Sequence, residues 1–292
     1  VTKYLQSNNN STGLTGNGTS TDFLSFDTNG FTYGVNSQLD VASGTPCTWL
    51  WKANGSGSAN TAGSINSTVS VNTTAGFSIV SYTGNGTGNS TIGHGLGATP
   101  KFIIVKNLTT AQAWGIKSDS FVSPSDPNVL YLNATSAQAD DTNVWGTNAS
   151  FTTSTFTVGD WNGSNQSSSN FIAYCWSEVQ GYSKFGSYTG NGSTDGTFVY
   201  TGFKPAFVIC KITSGVDNWI LMDNKRLGYN GANYQLLPNS TVVDQTPERL
   251  DLLSNGFKCR NGNGEVNGSS STYIYMAFAE NPLVANSGTD GV

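Results

Sequence analysis

The sequence predicts an all-β fold of tandem antiparallel β-sandwich (jelly-roll-like) repeats, two complete and one partial. The first observation behind this is composition. Of 292 residues, 36% are hydrophobic and only 11% charged, and Gly, Asn, Ser and Thr fill the gap. That mix suits short strands joined by tight turns, and the residues that favour helices are scarce. The second is duplication. Ser81-Tyr82-Thr83-Gly84-Asn85-Gly86-Thr87 returns as Ser187-Tyr188-Thr189-Gly190-Asn191-Gly192-Ser193. Each copy is followed by Pro, an apolar run and Lys, from Pro100 to Lys106 and from Pro205 to Lys211. A pattern returning at fixed spacing marks one structural unit used twice. The third is rhythm: apolar runs recur at intervals of about 8–15 residues between turn signals, as in sandwiches.

Residues 1–53 read as the second half of a repeat whose first half is missing, a partial first repeat. Phe23-Leu24-Ser25-Phe26-Asp27-Thr28-Asn29-Gly30-Phe31 lines up with Leu250-Asp251-Leu252-Leu253-Ser254-Asn255-Gly256-Phe257. In both, an apolar strand meets Asn-Gly, which supplies the positive φ of a tight hairpin. Trp49-Leu50-Trp51-Lys52 matches the strand-like Tyr174-Cys175-Trp176-Ser177, and Tyr4-Leu5 matches Tyr131-Leu132. Residues 54–75, rich in Gly, Ser, Asn and Thr, read as a linker with one edge strand. The chain opens at Val1 in mid-pattern, so its natural start is expected upstream.

The second repeat, 76–182, is expected to place strands at 77–82, 101–106, 114–116, 129–132, 155–158 and 171–176. The 101–106 run is apolar throughout and belongs in a core covered on both faces. A loop with Pro124 and Pro127 precedes 129–132, and residues 133–141 are the best helix candidate. The third repeat, 183–292, repeats the order, with strands at 185–188, 198–200, 207–212, 219–222, 234–237, 256–260 and 273–278. A small polar tail follows from Asn281.

The net charge is −5 and no basic run exists, so nucleic acid is not an expected partner. No apolar run approaches the ~20 residues that span a bilayer, so membrane insertion is not expected. Cys47, Cys175, Cys210 and Cys259 lack paired spacing and read as structural thiols rather than metal ligands. His94 is the only histidine, so any Ser–His–acid site must use it. Its counterpart in the other copy is roughly Tyr200, and a structural or surface-contact role is expected. The glycines at 84, 86 and 88 and at 93, 95 and 97 lack the Gly-Lys-Ser/Thr of a phosphate loop and lead into strands. Among the carboxylates, Glu178 and Glu280 are repeat-equivalent and read as scaffold, and no pair stands out for sugar hydrolysis. Asp140-Asp141 and Asp195 read as solvated turn acids rather than calcium ligands. No catalytic residue, cofactor or metal is therefore expected, and the protein reads as a non-enzyme. Trp114, Trp176 and Trp219 fall in matched strands and belong in the core. Trp145 and Trp161 lie unmatched in polar loops and, with His94, are the expected contacts for a glycan or a partner.

Over SYTGNG…HGLGATPKFIIVK, EVQGYSKFGSYTGNGSTDGTFVYTGFKPAFVICK and LLSNGFKCR…STYIYMAFAENP, the chain resembles the tandem-repeat C-terminal region of marine and aquatic bacteriophage virion proteins of tail-fibre-like type. The resemblance spans roughly residues 40–283, is most specific over 178–282 and is looser over 1–39. The resemblance implies a virion structural or adhesion role and brings no catalytic residues with it. The expected partners are further copies of the chain, as a homotrimer, other virion proteins and host cell-surface polysaccharide. Weak contacts multiplied over copies would give firm attachment. A capsid-surface decoration or head-fibre protein, and an extracellular carbohydrate-binding or carbohydrate-cleaving protein, are the alternatives.

Overall fold

A computed structural model describes residues 3–12, 14–15, 23–28, 30–34, 47–121, 126–226, 230 and 233–280. Strand makes up 41% of the described residues and helix 3%, so the fold is all-β, with several antiparallel sheets and, among the described residues, no closed barrel. The expectations for Pro124, Asn29 and the tail from Asn281 lie outside the described residues.

At the start of the chain, β1 (Lys3–Tyr4) pairs with β2 (Leu14–Thr15). A hairpin of β3 (Phe23–Asp27) and β4 (Gly30–Tyr33) follows, with Asp27 opposite Gly30. The second repeat is built from β5 (Ser58–Asn60), β6 (Ser67–Asn72), β7 (Phe77–Thr83), β8 (Ser90–Gly93), β9 (Phe102–Asn107), β10 (Gly115–Ser118), β11 (Asn128–Tyr131), β12 (Ala139–Asp140), α1 (Thr142–Trp145), β13 (Thr155–Val158), α2 (Asn162–Asn165) and β14 (Asn170–Trp176). Its main sheet runs β12-β11-β10-β9-β14-β7-β6-β5, and the pair β13-β8 forms a separate small sheet. The third repeat holds β15 (Ser183–Thr189), β16 (Phe198–Tyr200), β17 (Pro205–Ile212), β18 (Ile220–Asp223), β19 (Gln235–Leu236), β20 (Leu250–Leu253), β21 (Gly256–Cys259) and β22 (Thr272–Ala279). Its sheets run β15-β22-β17-β18-β19 and β16-β21-β20. The shared plan is plain at the centre, where β14 lies between β7 and β9 as β22 lies between β15 and β17.

Every residue of β9 is buried, as its unbroken apolar run requires. Side chains alternate across a strand, so β9 serves two cores. Ile103 and Val105 face the core inside the second repeat, with Val80, Phe156, Phe171 and Cys175. Phe102 and Ile104 face a central core shared between repeats, with Trp114, Trp176, Ile209, Trp219 and Phe278. Trp51, from the partial first repeat, enters this central core. Its ring lies 5.4 Å from Trp176, 5.8 Å from Phe207 and 5.8 Å from Phe278, edge-on to each, in a geometry that aromatic quadrupoles favour. Loops link the three parts in a ring. Trp114 Nε1 donates to the Asn9 carbonyl at 3.0 Å, Trp219 Nε1 to the Tyr131 carbonyl at 3.0 Å, and Ser7 Oγ to the Pro238 carbonyl at 2.7 Å.

Three local expectations are corrected. Residues 133–141 do not form a helix: Asp217 N–H donates to the Thr135 carbonyl and Gln138 N–H to the Thr213 carbonyl. That segment joins the two repeats, and its backbone groups are spent there. The helical turn begins instead at Thr142, where the Asp141 carboxylate accepts from Asn143 N–H at 2.9 Å as an N-cap. Within 54–75, where a linker with one edge strand is expected, two strands extend the main sheet, and β5 is its edge. In β6, Ser67 and Val69 are buried while Thr68 between them is exposed, the period of a half-covered strand. Residues 47–52 belong to no strand, unlike β14 and β22, with which they align.

Candidate binding surface

The duplicated motif turns inward. Tyr82 stacks on Phe171 with centroids 5.1 Å apart, and Tyr188 stacks on Tyr273 at 4.8 Å. The Tyr82 hydroxyl donates to the Ser164 carbonyl and the Tyr188 hydroxyl to the Val266 carbonyl, each at 2.7 Å. Burial pushes both phenols well above their ordinary pKa. Beyond the tyrosine, Asn85 N–H donates to Asn165 Oδ1 at 2.9 Å, and Asn165 Nδ2 donates to the Thr87 and Gly159 carbonyls. In the other copy, Asn191 N–H donates to Asn267 Oδ1 at 3.0 Å, and Asn267 Nδ2 donates to the Ser193 and Asn261 carbonyls. Asn165 and Asn267 are fully buried, so these bonds satisfy groups that water cannot reach. A Cβ at Gly84 would strike the Gln166 carbonyl oxygen, and one at Gly190 the Gly268 carbonyl oxygen. Gly86 and Gly192 hold φ of 70° and 68°. The motif is thus a clasp that closes each sandwich, with its tyrosine and first glycine buried.

Of the three residues expected to make contacts, Trp145 and His94 are buried and Trp161 keeps part of its surface. Trp145 is fully buried in the second repeat's core. Trp161 is half-buried, packs on that core and meets Tyr131 edge-on at 5.6 Å. Both follow from the short helices α1 and α2, which fold the polar-looking loops back over the sheet. His94 is also buried. Its Nδ1 accepts from Leu96 N–H at 3.2 Å, so its proton sits on Nε2, which donates to the Thr152 carbonyl at 3.2 Å. Desolvation holds the imidazole below its ordinary pKa. His94 N–H donates to the Ser154 carbonyl and Thr201 N–H to the Asn255 carbonyl, so the true counterpart of His94 is Thr201, one position past Tyr200.

Other ionisable groups also serve the scaffold. Lys106 Nζ donates to the Asn10 and Gln112 carbonyls, and its repeat-equivalent Lys211 donates to the Ile212 carbonyl. Lys117 donates to the Asp126 carbonyl. Burial lowers all three ammonium groups to about 8. Cys175, Cys210 and Cys259 are buried free thiols whose pKa burial raises. Glu178 pairs with Lys184 at 2.7 Å, and Glu280 pairs with Lys225. Asp195 faces Lys258.

What does face outward is the sheet β16-β21-β20. Val199 points into the core while its neighbours Phe198 and Tyr200 are exposed. Phe198 pairs across the sheet with Lys258 and Tyr200 with Gly256. Arg260 and Asp251 form an ion pair at 3.1 Å on the same sheet. Two exposed rings among charged groups on a rigid sheet make an amphipathic surface, suited to stacking on a flat, polar-edged ligand. The second repeat lacks it: β8 has Thr91 and Gly93 at the equivalent positions. The sequence signal for this patch was alternation within 198–200, aromatic on the outer face where the other copy is small.

Residues 1–282 match the family described as a domain of unknown function, DUF7483, and the chain belongs to that family. No curated protein and no solved structure matches it.

Proposed function

We propose that this is a bacteriophage virion structural protein of fibre or tail type that attaches to host surface glycans through the β16-β21-β20 sheet. The observation that carries the reading is the exposed pair Phe198 and Tyr200 on a sheet whose other face is locked into the third repeat's core. A rigid sheet offers stacking rings at little entropic cost on binding. Repetition of such blocks along a fibre, as in a homotrimer, turns weak sugar contacts into firm attachment. The resemblance of residues 40–283 to phage fibre repeats supplies the virion context. The test is binding of the purified chain to an array of bacterial polysaccharides. The reading expects binding that Tyr200→Ala together with Phe198→Ala reduces at least tenfold, about 1.4 kcal/mol, with melting temperature unchanged. Binding that survives both substitutions, or none at all, overturns it. Imaging separates fibre from shell decoration, since subunits lying flat on the capsid would contradict the fibre.

A further inference from the structure

We propose that this chain carries a self-cleavage site at the Asp126–Pro127 peptide bond, where the buried Lys117 ammonium holds the carbonyl oxygen of the bond to be cut. Lys117 lies on β10 and is fully buried. Its Nζ donates to the main-chain carbonyl oxygen of Asp126. It also stands 5.7 Å from the centre of the Phe121 ring, a cation–π contact that helps to fix it there. The carboxylates of Asp126, Asp140 and Asp119 act on it through space and favour its charged form, against the larger effect of desolvation. Eight prolines occur in the chain, and only Pro127 follows an aspartate. The fold does not itself require a cation at this place. Lys117 sits opposite Ile103 of β9, as Met222 sits opposite Val208 of β17, so the other copy fills the position with an apolar side chain. Met222 is buried in the third repeat's core. A buried ammonium is costlier than a buried thioether, and in the second repeat that ammonium is aimed at the Asp-Pro bond. Lys106 and Lys211 differ: they are repeat-equivalent, and the carbonyls they hold, of Asn10, Gln112 and Ile212, precede no proline.

The chemistry follows from the three groups. The Asp126 carboxyl is tethered beside its own main-chain carbonyl, so its attack is intramolecular and needs no partner brought from solution. A carboxyl oxygen bonds to the carbonyl carbon, and the displaced electron pair moves onto the carbonyl oxygen. There the Lys117 ammonium stabilises the developing negative charge, as an oxyanion-hole donor does. The bond from that carbon to the Pro127 nitrogen then breaks, and the nitrogen takes the proton of the Asp126 carboxyl. This leaves a cyclic anhydride at Asp126 and a free prolyl amine. One water opens the anhydride to two carboxyls, and nothing is oxidised or reduced. Proline suits the leaving role because its tertiary amide nitrogen departs as a basic secondary amine. Asp126 is exposed, so water reaches the anhydride while Lys117 stays inside. The cut falls between β10 and β11, which pair with each other, and β9 before it pairs with β14 after it. The two pieces would therefore remain one folded body.

The test follows the mass of the full chain at pH 6, below the value of about 8 to which burial lowers Lys117, both folded and unfolded in urea. The folded chain is expected to split into 1–126 and 127–292, whose masses sum to the intact mass plus one water. The rate should not depend on protein concentration and should exceed that of the unfolded chain by about tenfold or more. Asp126→Asn removes the attacking carboxyl and Pro127→Ala the leaving secondary amine, and each should leave the chain intact. Lys117→Met, which copies the third repeat, should fold and cleave no faster than the unfolded chain. A folded chain that stays intact overturns the inference, as does cleavage that persists in Asp126→Asn. Equal rates in the folded chain, the unfolded chain and Lys117→Met also overturn it, since they would show only the ordinary lability of an Asp-Pro bond. If Lys117→Met fails to fold, the comparison of folded with unfolded chain decides alone.

Discussion

At the scale of single residues, the chain is held by polar groups as much as by apolar ones. Asn165 and Asn267 each satisfy backbone groups on two loops. Asn165→Ala removes three bonds at once and leaves the Gly159 carbonyl bare inside the core, at about 1–3 kcal/mol for a group left bare and about 1 kcal/mol for each other bond lost. We therefore expect at least about 3 kcal/mol lost in denaturant unfolding, against about 1 kcal/mol for Tyr82→Phe, which forfeits one hydrogen bond. His94 gives the pH dependence. Its folded pKa lies below 6.5 because burial disfavours the imidazolium. Below pH 6.5 the unfolded chain therefore binds a proton that the folded chain does not. Stability should be full above pH 6.5 and fall as pH drops toward 5, before the carboxylates titrate. His94→Gln should flatten that slope in unfolding measured at pH 5 and 7. The sequence made the Tyr and Gly of the clasp visible by duplication. It could not single out Asn165 and Asn267, because asparagine is common throughout and a buried one looks like any other. Trp145 misled for a related reason: Asn, Thr and Ser around it suggest solvent, yet those side chains point away while the indole enters the core.

At the scale of elements, β9 and β17 are the two copies of one strand, and they differ in how far they are covered. Phe102 is buried while Phe207 is half-buried, lining a groove with Leu221 and Phe278. Phe102→Asp places an unpaired charge in the central core and should cost more than about 4 kcal/mol. Phe207→Asp should cost less than half as much, since its carboxylate can reach the groove. Thermal melts of the two variants decide this, and equal losses would show the groove to be closed. The position of these strands was legible because an apolar run with Lys at its end needs cover on both faces. The pairing of β5 and β6 was not, since Ser, Thr and Asn fill two thirds of each and only Val69 and Val71 carry the period within β6. The 47–52 segment was legible as a match to a strand but not as a strand. A strand exists only with its ladder partners, and among the described residues 47–52 lies in no sheet.

At the scale of the whole molecule, the repeats are fused rather than strung. Trp51, Trp176, Phe102, Phe185 and Phe278 make one core from three parts of the chain. The repeats should therefore unfold together, and the proposed attachment role rests on that block. Native-state hydrogen exchange on the full chain tests this most directly. The amides of β14 and β22 should open with the same free energy. Openings for β14 and β22 that differ by more than about 2 kcal/mol would contradict the shared core.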